Sequence, residues 1–335
     1  MAQDTDTMCA LVYSGVETLE MRDVLRPVAG ADQALIRVHA SGLCGSDMHA
    51  YLGHDDRRPA PLILGHEAAG VVEGTGLRVT VNPLVTCGTC DACLRGRDNL
   101  CPDRLIISMP PREGAFAPFV VMRNANLVAV PDHVPLEKAA LAEPLACGWH
   151  AVRLAEEAAD RPLDQARCLV IGGGAIGVGA ALSLRAFGAL DITVIEPNDM
   201  RRAALDKIAG FTAVGAGGFD GLAHIVIDAV GYAATRADAT AFATPGGVIA
   251  HIGLGQDTGG LDIRRMTLQE ITFIGTYTYT MADFRETAQA IFDGALGALD
   301  WVETRPLADG AKAFSDLRAG KVAAPKIIFI PDHKE

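Results

Sequence analysis

The stretch that most constrains the fold begins at Cys168 and reads CLVIGGGAIGVGAALSLRAFGALDITVIE. It predicts a strand, a glycine-rich turn, a helix and a second strand that ends in Glu196. Glycines in G-x-G-x-x-G spacing at such a turn permit close approach to a pyrophosphate and tight packing of helix on strand. The stretch therefore predicts a Rossmann unit that binds a dinucleotide. The residues predicted to contact the dinucleotide at this turn are Gly172, Gly174, Ala175, Ile176 and Gly177.

The end of the second strand indicates which dinucleotide is bound. Glu196 stands where a carboxylate accepts hydrogen bonds from both hydroxyls of the adenine ribose and repels a 2′-phosphate. We therefore expect NAD rather than NADP. Arg201 and Arg202 follow on the next predicted helix, and Arg201 is the candidate for a cofactor contact. A solvated position on the helix face is the alternative for both arginines.

The rest of the chain divides around this unit. Short β-type runs broken by Gly, Pro, Asn and Asp precede it, which predicts a mostly antiparallel β domain. Strands and helices then alternate, which predicts a parallel sheet with helices on both faces. The expected class is α/β, with a β domain at 1–146, a Rossmann domain at 147–278, and a tail at 279–335 that returns to the first domain.

Composition and charge exclude several function classes. The formal net charge of -12 argues against nucleic acid or an anionic membrane as partner, because phosphate binding needs clustered Lys and Arg. No apolar run is long enough for a bilayer, and the N-terminal residues do not form a secretory signal. We expect a cytoplasmic protein with a small-molecule partner.

Four cysteines occupy the short segment TCGTCDACLRGRDNLC within the range 86–102. Their spacing, C-x2-C-x2-C-x7-C, predicts four thiolates around one tetrahedral Zn²⁺, with a disulfide pair or unrelated free thiols as the alternatives. Four thiolates fill the zinc shell and leave no position for a substrate, so this site is expected to be structural. The predicted ligands are Cys87, Cys90, Cys93 and Cys101.

A catalytic zinc needs three protein ligands and one open position. Outside the four-cysteine lobe, three segments offer suitable side chains, namely SGLCGSDMHAYLG, LGHEAAGVVEGTG and LAEPLACGWHA. A buried cysteine, a capped histidine and a surface glutamate are each common without a metal. Spacing alone does not join ligands so far apart in the sequence.

These segments, in this order, resemble the zinc-containing medium-chain dehydrogenases of the alcohol dehydrogenase superfamily. GHEAAGVVEGTGLRV is similar to the family's zinc signature, and the four-cysteine lobe and the nucleotide fold follow in the expected order. CGSDMH together with AEPLACGWHA is closer to the sorbitol and threonine dehydrogenase branch. The resemblance implies a GroES-like catalytic domain before the Rossmann domain.

The resemblance also implies the residues of the active site. Cys44, His66 and Glu143 would bind a catalytic zinc, giving two zinc ions per subunit, and Asp47 would orient His66. The remaining implied roles fall on five residues: Glu67 beside the metal, Ser46 and His49 in a proton relay through the nicotinamide ribose, Cys147 facing the nicotinamide, and Lys326 reaching the pyrophosphate.

The activity implied is oxidation of a secondary alcohol, in a polyol or sugar derivative, to a ketone by hydride transfer to NAD. An L-threonine or simple secondary-alcohol dehydrogenase would use the same ligands, and a non-catalytic NAD-binding relative is a further alternative. Ala50 and a shortened segment after Gly70 depart from the family pattern and leave the substrate open. The run ITFIGTYTYT predicts an exposed edge strand and, through the resemblance, a homodimer or homotetramer.

Overall fold

A computed structural model gives the positions of residues 6–333. Two larger sheets organise the chain, one mixed and mostly antiparallel and one fully parallel. This arrangement confirms the predicted α/β class. None of the helices within residues 6–333 combines the length and apolarity needed to cross a membrane.

The N-terminal part is built mainly from short antiparallel strands. Its strands are β1 (Thr7–Gly15), β2 (Thr18–Leu25), β3 (Gln33–Gly42), β4 (Leu62–Ile63), β5 (Glu67–Val72), β6 (Arg78–Val81), β7 (Leu84–Val85), β8 (Leu105–Ile106), β9 (Phe119–Arg123) and β10 (Leu127–Ala129). Its helices are α1 (Gly45–Tyr51), α2 (Asp91–Leu94), α3 (Leu136–Ala139) and α4 (Ala142–Ala158). Strand β3 pairs with β5 and β9, so it lies at the centre of the larger sheet.

The Rossmann part alternates strands and helices as the sequence predicts. Its elements are β11 (Arg167–Ile171), α5 (Ala175–Ala186), β12 (Asp191–Ile195), α6 (Asp199–Leu205), β13 (Thr212–Val214), β14 (Ala223–Asp228), α7 (Ala233–Phe242), β15 (Ala243–His251), α8 (Ile263–Leu268) and β16 (Thr272–Gly275). The strand order is β13-β12-β11-β14-β15-β16, and every pairing is parallel. The order reverses between β11 and β14, which is where such sheets bind ligands beyond the carboxyl ends of the strands.

The C-terminal elements return to the first sheet. They are α9 (Met281–Phe292), β17 (Val302–Pro306), α10 (Gly310–Arg318) and β18 (Lys326–Ile330). Strand β18 pairs antiparallel with the end of β3, and β17 pairs parallel with β18. The return of the tail to the N-terminal sheet agrees with the expectation from the sequence.

Two strands differ from the sequence prediction. The run ITFIGTYTYT was expected to be one long strand, but β16 covers only Thr272–Gly275, and Thr278 has a positive φ of 46° that ends any extended run. Strand β17 was not predicted, because its charged residues Glu303 and Arg305 hide the apolar pattern of a strand. Within residues 6–333, strand β16 pairs with β15 alone and is one of the two edges of the parallel sheet.

Candidate functional site

Cys44, His66 and Glu67 form one of two groups of metal-binding side chains within residues 6–333. Their ligand atoms all lie within 4.8 Å of one another. Cys44 precedes α1 as its N-cap, and His66 and Glu67 come at the start of β5. The histidine and the glutamate are buried. A thiolate, an imidazole and a carboxylate in this arrangement are the donor types that catalytic zinc sites use.

Strand pairing explains how the sequence brings these ligands together. Gly42, at the end of β3, lies opposite Glu67 in the antiparallel register. A Cβ atom on Gly42 would come within 1.8 Å of Glu67 Oε2. A residue with a side chain at position 42 would therefore displace the carboxylate, so glycine is required for the cluster to form.

Asp47 links the cysteine to the histidine. Its Oδ2 accepts a 3.0 Å hydrogen bond from the Cys44 amide, and its Oδ1 accepts one of 3.2 Å from the Gly65 amide. Oδ1 also lies 3.5 Å from His66 Nδ1. Burial opposes ionisation of Asp47, but the charge and hydrogen bond of His66 outweigh it and lower the pKa of Asp47. The contact agrees with the predicted orienting role and leaves His66 Nε2 for a metal.

Glu67 is held by a buried ion pair with the last strand. Lys326 Nζ donates to Glu67 Oε1 at 2.6 Å and to the Leu43 carbonyl at 3.0 Å. Glu67 Oε2 is buried without a hydrogen-bond partner. An unpartnered buried carboxylate oxygen is costly, and a cation bound by the cluster would satisfy it. The donor set and this orphaned oxygen therefore suit a zinc ion.

The contacts of Lys326 differ from the sequence prediction. The resemblance implied that its ammonium reaches the cofactor pyrophosphate, whereas the structure places the ammonium between Glu67 and Leu43. The sequence could not reveal this contact, because it depends on the pairing of β18 with the end of β3. Contact with a pyrophosphate stays a prediction.

Glu143, the predicted third ligand, lies outside the group of three. It is buried in the first turn of α4, and its Oε1 accepts a 2.6 Å hydrogen bond from the Tyr279 hydroxyl. Burial raises the pKa of Glu143 to about 7, with the negative charge of Glu67 adding to the rise. The two glutamates are therefore close enough to interact, but the geometry favours Glu67 rather than Glu143 beside Cys44 and His66.

Cys147 follows one turn after Glu143 on α4, with its Sγ 4.0 Å from the Glu143 carbonyl oxygen. Burial raises the pKa of the Cys147 thiol well above its usual value, and the charge of Glu143 adds to this. The side chain is thus a neutral thiol in the wall of the site. Its predicted position against a nicotinamide ring stays a prediction.

The two predicted relay residues lie three positions apart on α1. Ser46 Oγ lies 3.4 Å from His66 Nε2, the nitrogen that is left for a metal. His49 is exposed, and its ring centroid lies 6.3 Å from that of His54. One end of the predicted relay is therefore beside the ligand cluster and the other end is at the solvent.

The glycine-rich turn lies between β11 and α5 as predicted. Gly172 has a φ of +101°, and a Cβ on Gly177 would come within 1.8 Å of the Gly172 carbonyl oxygen. Gly174 is the N-cap of α5 with open space in front of it, and Ala175 and Ile176 form the first turn. The amides of this turn point outward from the helix N-terminus, which suits a pyrophosphate.

Glu196 lies directly after β12 and is buried beside the turn. Its Oε2 accepts the Gly173 amide at 3.2 Å, and its Oε1 accepts the Asn198 amide at 2.9 Å. Arg201 Nε lies 3.6 Å from Oε1, whereas Arg202 is engaged by the Glu196 carbonyl. The sequence analysis missed Gly173, although it is the middle glycine of a visible run of three.

The four cysteines of the lobe form the second group of metal-binding side chains within residues 6–333. Their sulfur atoms lie within 4.8 Å of one another, and none forms a disulfide. The amide of Cys90 donates to Cys87 Sγ at 3.3 Å, and the amide of Cys87 donates to Cys101 Sγ at 3.4 Å. The amides of Thr89 and Cys90 lower the pKa of Cys87 to about 6, which favours a thiolate ligand.

The lobe also contacts the segment that follows β16. Asn99 Nδ2 donates to the Tyr277 carbonyl at 2.7 Å, and the Arg104 guanidinium lies 4.8 Å from the Tyr277 ring. The amide of Met281 donates to the Asp98 carboxylate at 3.2 Å. The same segment carries Tyr279, so the lobe helps to position the hydroxyl that binds Glu143. The sequence analysis missed Tyr277 and Tyr279 because it assigned them to an edge strand.

Comparison with known proteins agrees with this geometry. Residues 30–132 match the alcohol dehydrogenase GroES-like domain, and residues 175–293 match the zinc-binding dehydrogenase family. The chain is 33% identical to sorbitol dehydrogenase of Bacillus subtilis (strain 168), with 79% of each chain covered. It is 31% identical to L-galactonate-5-dehydrogenase of Escherichia coli (strain K12), covering 87% of this chain and 89% of that one.

A solved structure supports the fold over almost the whole length. An alcohol dehydrogenase from E. coli CFT073, solved with NADH, superposes with a TM-score of 0.86 at 22% identity and covers 97% of this chain and 99% of its own. The two parts of the fold therefore occur together in one chain of known structure.

Proposed function

The chain belongs to the zinc-binding dehydrogenases with a GroES-like alcohol dehydrogenase domain, and on that premise we propose that it oxidises a secondary alcohol of a polyol or sugar derivative to a ketone, with NAD as hydride acceptor. The observation that carries the proposal is the buried group of Cys44, His66 and Glu67, with its orphaned carboxylate oxygen. The relatives named for sorbitol and L-galactonate support a polyhydroxylated substrate.

We propose that Cys44, His66 and Glu67 hold the catalytic zinc, and that the four-cysteine lobe holds a structural one. A thiolate, a carboxylate and a neutral imidazole balance the two positive charges of the metal. When bound, zinc supplies Lewis-acid chemistry that lowers the pKa of an alcohol toward neutrality. Glu143, held by Tyr279, is the nearby second carboxylate and the ligand that the family resemblance implied.

The chain's own residues then orient the substrate and move its proton. Asp47 fixes His66, and Lys326 neutralises Glu67 on the side away from its free oxygen. Ser46, whose Oγ lies beside His66, would accept a hydrogen bond from the substrate hydroxyl, and the exposed His49 would release the proton to solvent. These roles follow the predicted relay through the nicotinamide ribose.

We propose NAD rather than NADP because Glu196 occupies the ribose position. Its carboxylate is already fixed by the amides of Gly173 and Asn198, so it cannot easily turn away from a 2′-phosphate. Exchanging Glu196 for Gln should raise the KM for NAD and narrow the ratio of NAD to NADP activity about tenfold. An unchanged ratio would contradict this role of Glu196.

The reaction is tested by initial rates of NADH formation from NAD⁺ on zinc-replete protein, with polyols, L-threonine and simple secondary alcohols in parallel. We expect rates with polyols, and the stereochemical pattern among them identifies the carbon that is oxidised. A rate only with L-threonine or simple alcohols would move the assignment to those substrates. No rate with any alcohol, despite NAD binding, would support a non-catalytic relative.

We further propose a homodimer or homotetramer in the cytoplasm. The open edge of β16 is the candidate interface, and the eight cysteines are all free, as expected in a reducing compartment. A monomer mass that does not depend on concentration, measured by sedimentation, would contradict the oligomer.

A further inference from the structure

A cavity lies in the N-terminal part, away from the residues assigned to zinc and cofactor. It has a volume of about 570 Å³ and lies between the hairpin of β1 and β2 on one side and β4 and β9 on the other. That volume is within the range of small-molecule sites. Most of its lining is apolar, including Met8, Val12, Val24, Leu62 and Val120.

Arg112 supplies an unneutralised positive charge to this cavity. Its Nη2 donates to the Val121 carbonyl at 3.0 Å and to Met122 Sδ at 3.5 Å, while its Nε is buried without a partner. Within residues 6–333, no carboxylate forms an ion pair with it. Burial lowers the pKa of Arg112, and the positive charge of Arg123 lowers it further.

The other charged residues in the lining are already engaged. Arg22 pairs with Glu20 at 2.8 Å, and Glu113 Oε2 accepts the Ile63 amide at 2.7 Å. Among the described residues, Arg112 is therefore the arginine of the lining that lacks a carboxylate partner, while the exposed Glu113 carboxylate is held by a backbone amide. A half-buried guanidinium gains most from an anion that also brings apolar surface into the cavity.

We propose that this cavity binds a small amphipathic carboxylate, with the carboxylate on Arg112 and the hydrocarbon part against Val12, Val24 and Leu62. A monoanion matches the one guanidinium of the lining that has no carboxylate partner within residues 6–333, and the apolar lining selects a medium-chain aliphatic acid over a free inorganic anion. The site shares no residue with the proposed catalytic cluster, so the inference does not depend on the proposed reaction.

The test is calorimetric titration of the zinc-loaded protein with octanoate and with octanamide, its neutral analogue. We expect octanoate to bind one per subunit and octanamide to bind roughly tenfold to hundredfold more weakly, as expected for loss of a charge-assisted hydrogen bond. Arg112→Gln should weaken octanoate binding by the same factor. Arg22→Gln, at an arginine of the same lining that already has a partner, should change it less than about twofold.

Two further variants keep the result decisive. Leu25 is 68% exposed and lines the cavity, so Leu25→Trp should obstruct it without disturbing the core and should weaken octanoate binding even if Arg112→Gln fails to fold. Cys44→Ser should leave octanoate binding unchanged. Loss of binding in Cys44→Ser would mean that octanoate binds at the proposed zinc site, and the inference would be wrong. The inference would also be wrong if Arg112→Gln kept the octanoate affinity of the wild type, whatever the oligomer mass of the variant.

Discussion

The four-cysteine lobe and the Cys44 cluster both gather metal-binding side chains, but they are built in opposite ways. The lobe takes its four sulfur atoms from one loop, and local amides hold them near the surface. The Cys44 cluster takes its ligands from the start of α1 and the start of β5, and long-range contacts bury them. A local site stabilises its own loop, whereas a site assembled from distant strands forms only after the domain has folded.

We therefore expect the lobe to contribute to folding stability and the Cys44 cluster to contribute to the reaction. Four thiolates saturate a tetrahedral zinc, so the lobe offers nothing to a substrate. The Cys44 cluster has three proposed ligands, with the Glu143 carboxylate held by Tyr279 nearby and a serine beside the histidine, so a zinc ion there would keep an open position for a substrate. Substitutions in the two regions should therefore change different observables.

The largest effect should follow from Cys44→Ser. Loss of a zinc ligand should reduce kcat/KM on the order of 10³-fold, because Lewis-acid stabilisation is worth several kcal/mol. The protein should lose one of its two predicted zinc ions and unfold at nearly the same temperature. Metal analysis, initial rates and thermal unfolding check these three outcomes together. Retained activity with one zinc ion would place the chemistry elsewhere.

The matched substitution in the lobe is Cys101→Ser, at the buried cysteine that accepts the Cys87 amide. It should also remove one zinc ion but should lower the unfolding temperature by roughly 10 °C, since structural zinc contributes folding free energy directly. The fraction that stays folded at low temperature should keep kcat within about fivefold of the wild type. A drop in kcat as large as that of Cys44→Ser would remove the distinction between the two regions.

The same contrast explains how much the sequence could predict. The grouping of the four cysteines was predicted from the sequence, because spacing within one short loop places them together. Cys44 and His66 are far apart in sequence, and only the resemblance to a family joined them. The proposed third ligand, Glu67, depends on a strand register in which it lies opposite Gly42, and no local pattern reveals a register.

The fold likewise could be predicted where the signals are local in sequence, and not where contacts join distant residues. The alternation around Gly172 predicted β11, α5 and β12, because glycine spacing and apolar periodicity are local signals. The ion pair of Lys326 with Glu67 joins residues 259 positions apart, and the family resemblance implied a different contact for Lys326. Tyr279 was assigned to a strand, because alternating tyrosine and threonine imitates one.

The two glutamates test which carboxylate completes the cluster. Glu67→Gln should weaken zinc binding at the Cys44 site by about a hundredfold, because it removes a proposed ligand. Glu143→Gln should weaken zinc binding there by about tenfold, because it removes a neighbouring carboxylate that is not a ligand. Both substitutions keep size and alter charge, and the lobe serves as an internal reference for zinc retention. Chelator competition measures the two affinities. The reverse order would restore Glu143 as the ligand and make Glu67 the neighbour.

The smallest expected effect is a change in stability at Asp283, in the segment between the four-cysteine lobe and the Cys44 cluster. Asp283, at the start of α9, accepts hydrogen bonds from Thr280 and Arg153 and lies 2.7 Å from His150 Nδ1. Burial opposes its ionisation, but these partners lower the pKa of Asp283 well below its usual value. Asp283→Asn should therefore cost about 2 kcal/mol of unfolding free energy at neutral pH.

The pH dependence gives that prediction its sign. A carboxylate whose pKa is lower in the folded state stabilises the protein above its unfolded pKa, near pH ~4, and loses this contribution as the pH falls through the folded pKa. The difference between wild type and Asp283→Asn should be full at pH 7 and shrink below about pH 4. Asp293→Asn, at the exposed end of the same helix, is the control and should change little at any pH. Denaturant unfolding across this pH range measures the unfolding free energy of both variants. If the difference between wild type and Asp283→Asn stayed constant down to low pH, the shape of Asp283 rather than its charge would stabilise the segment between the lobe and Glu143.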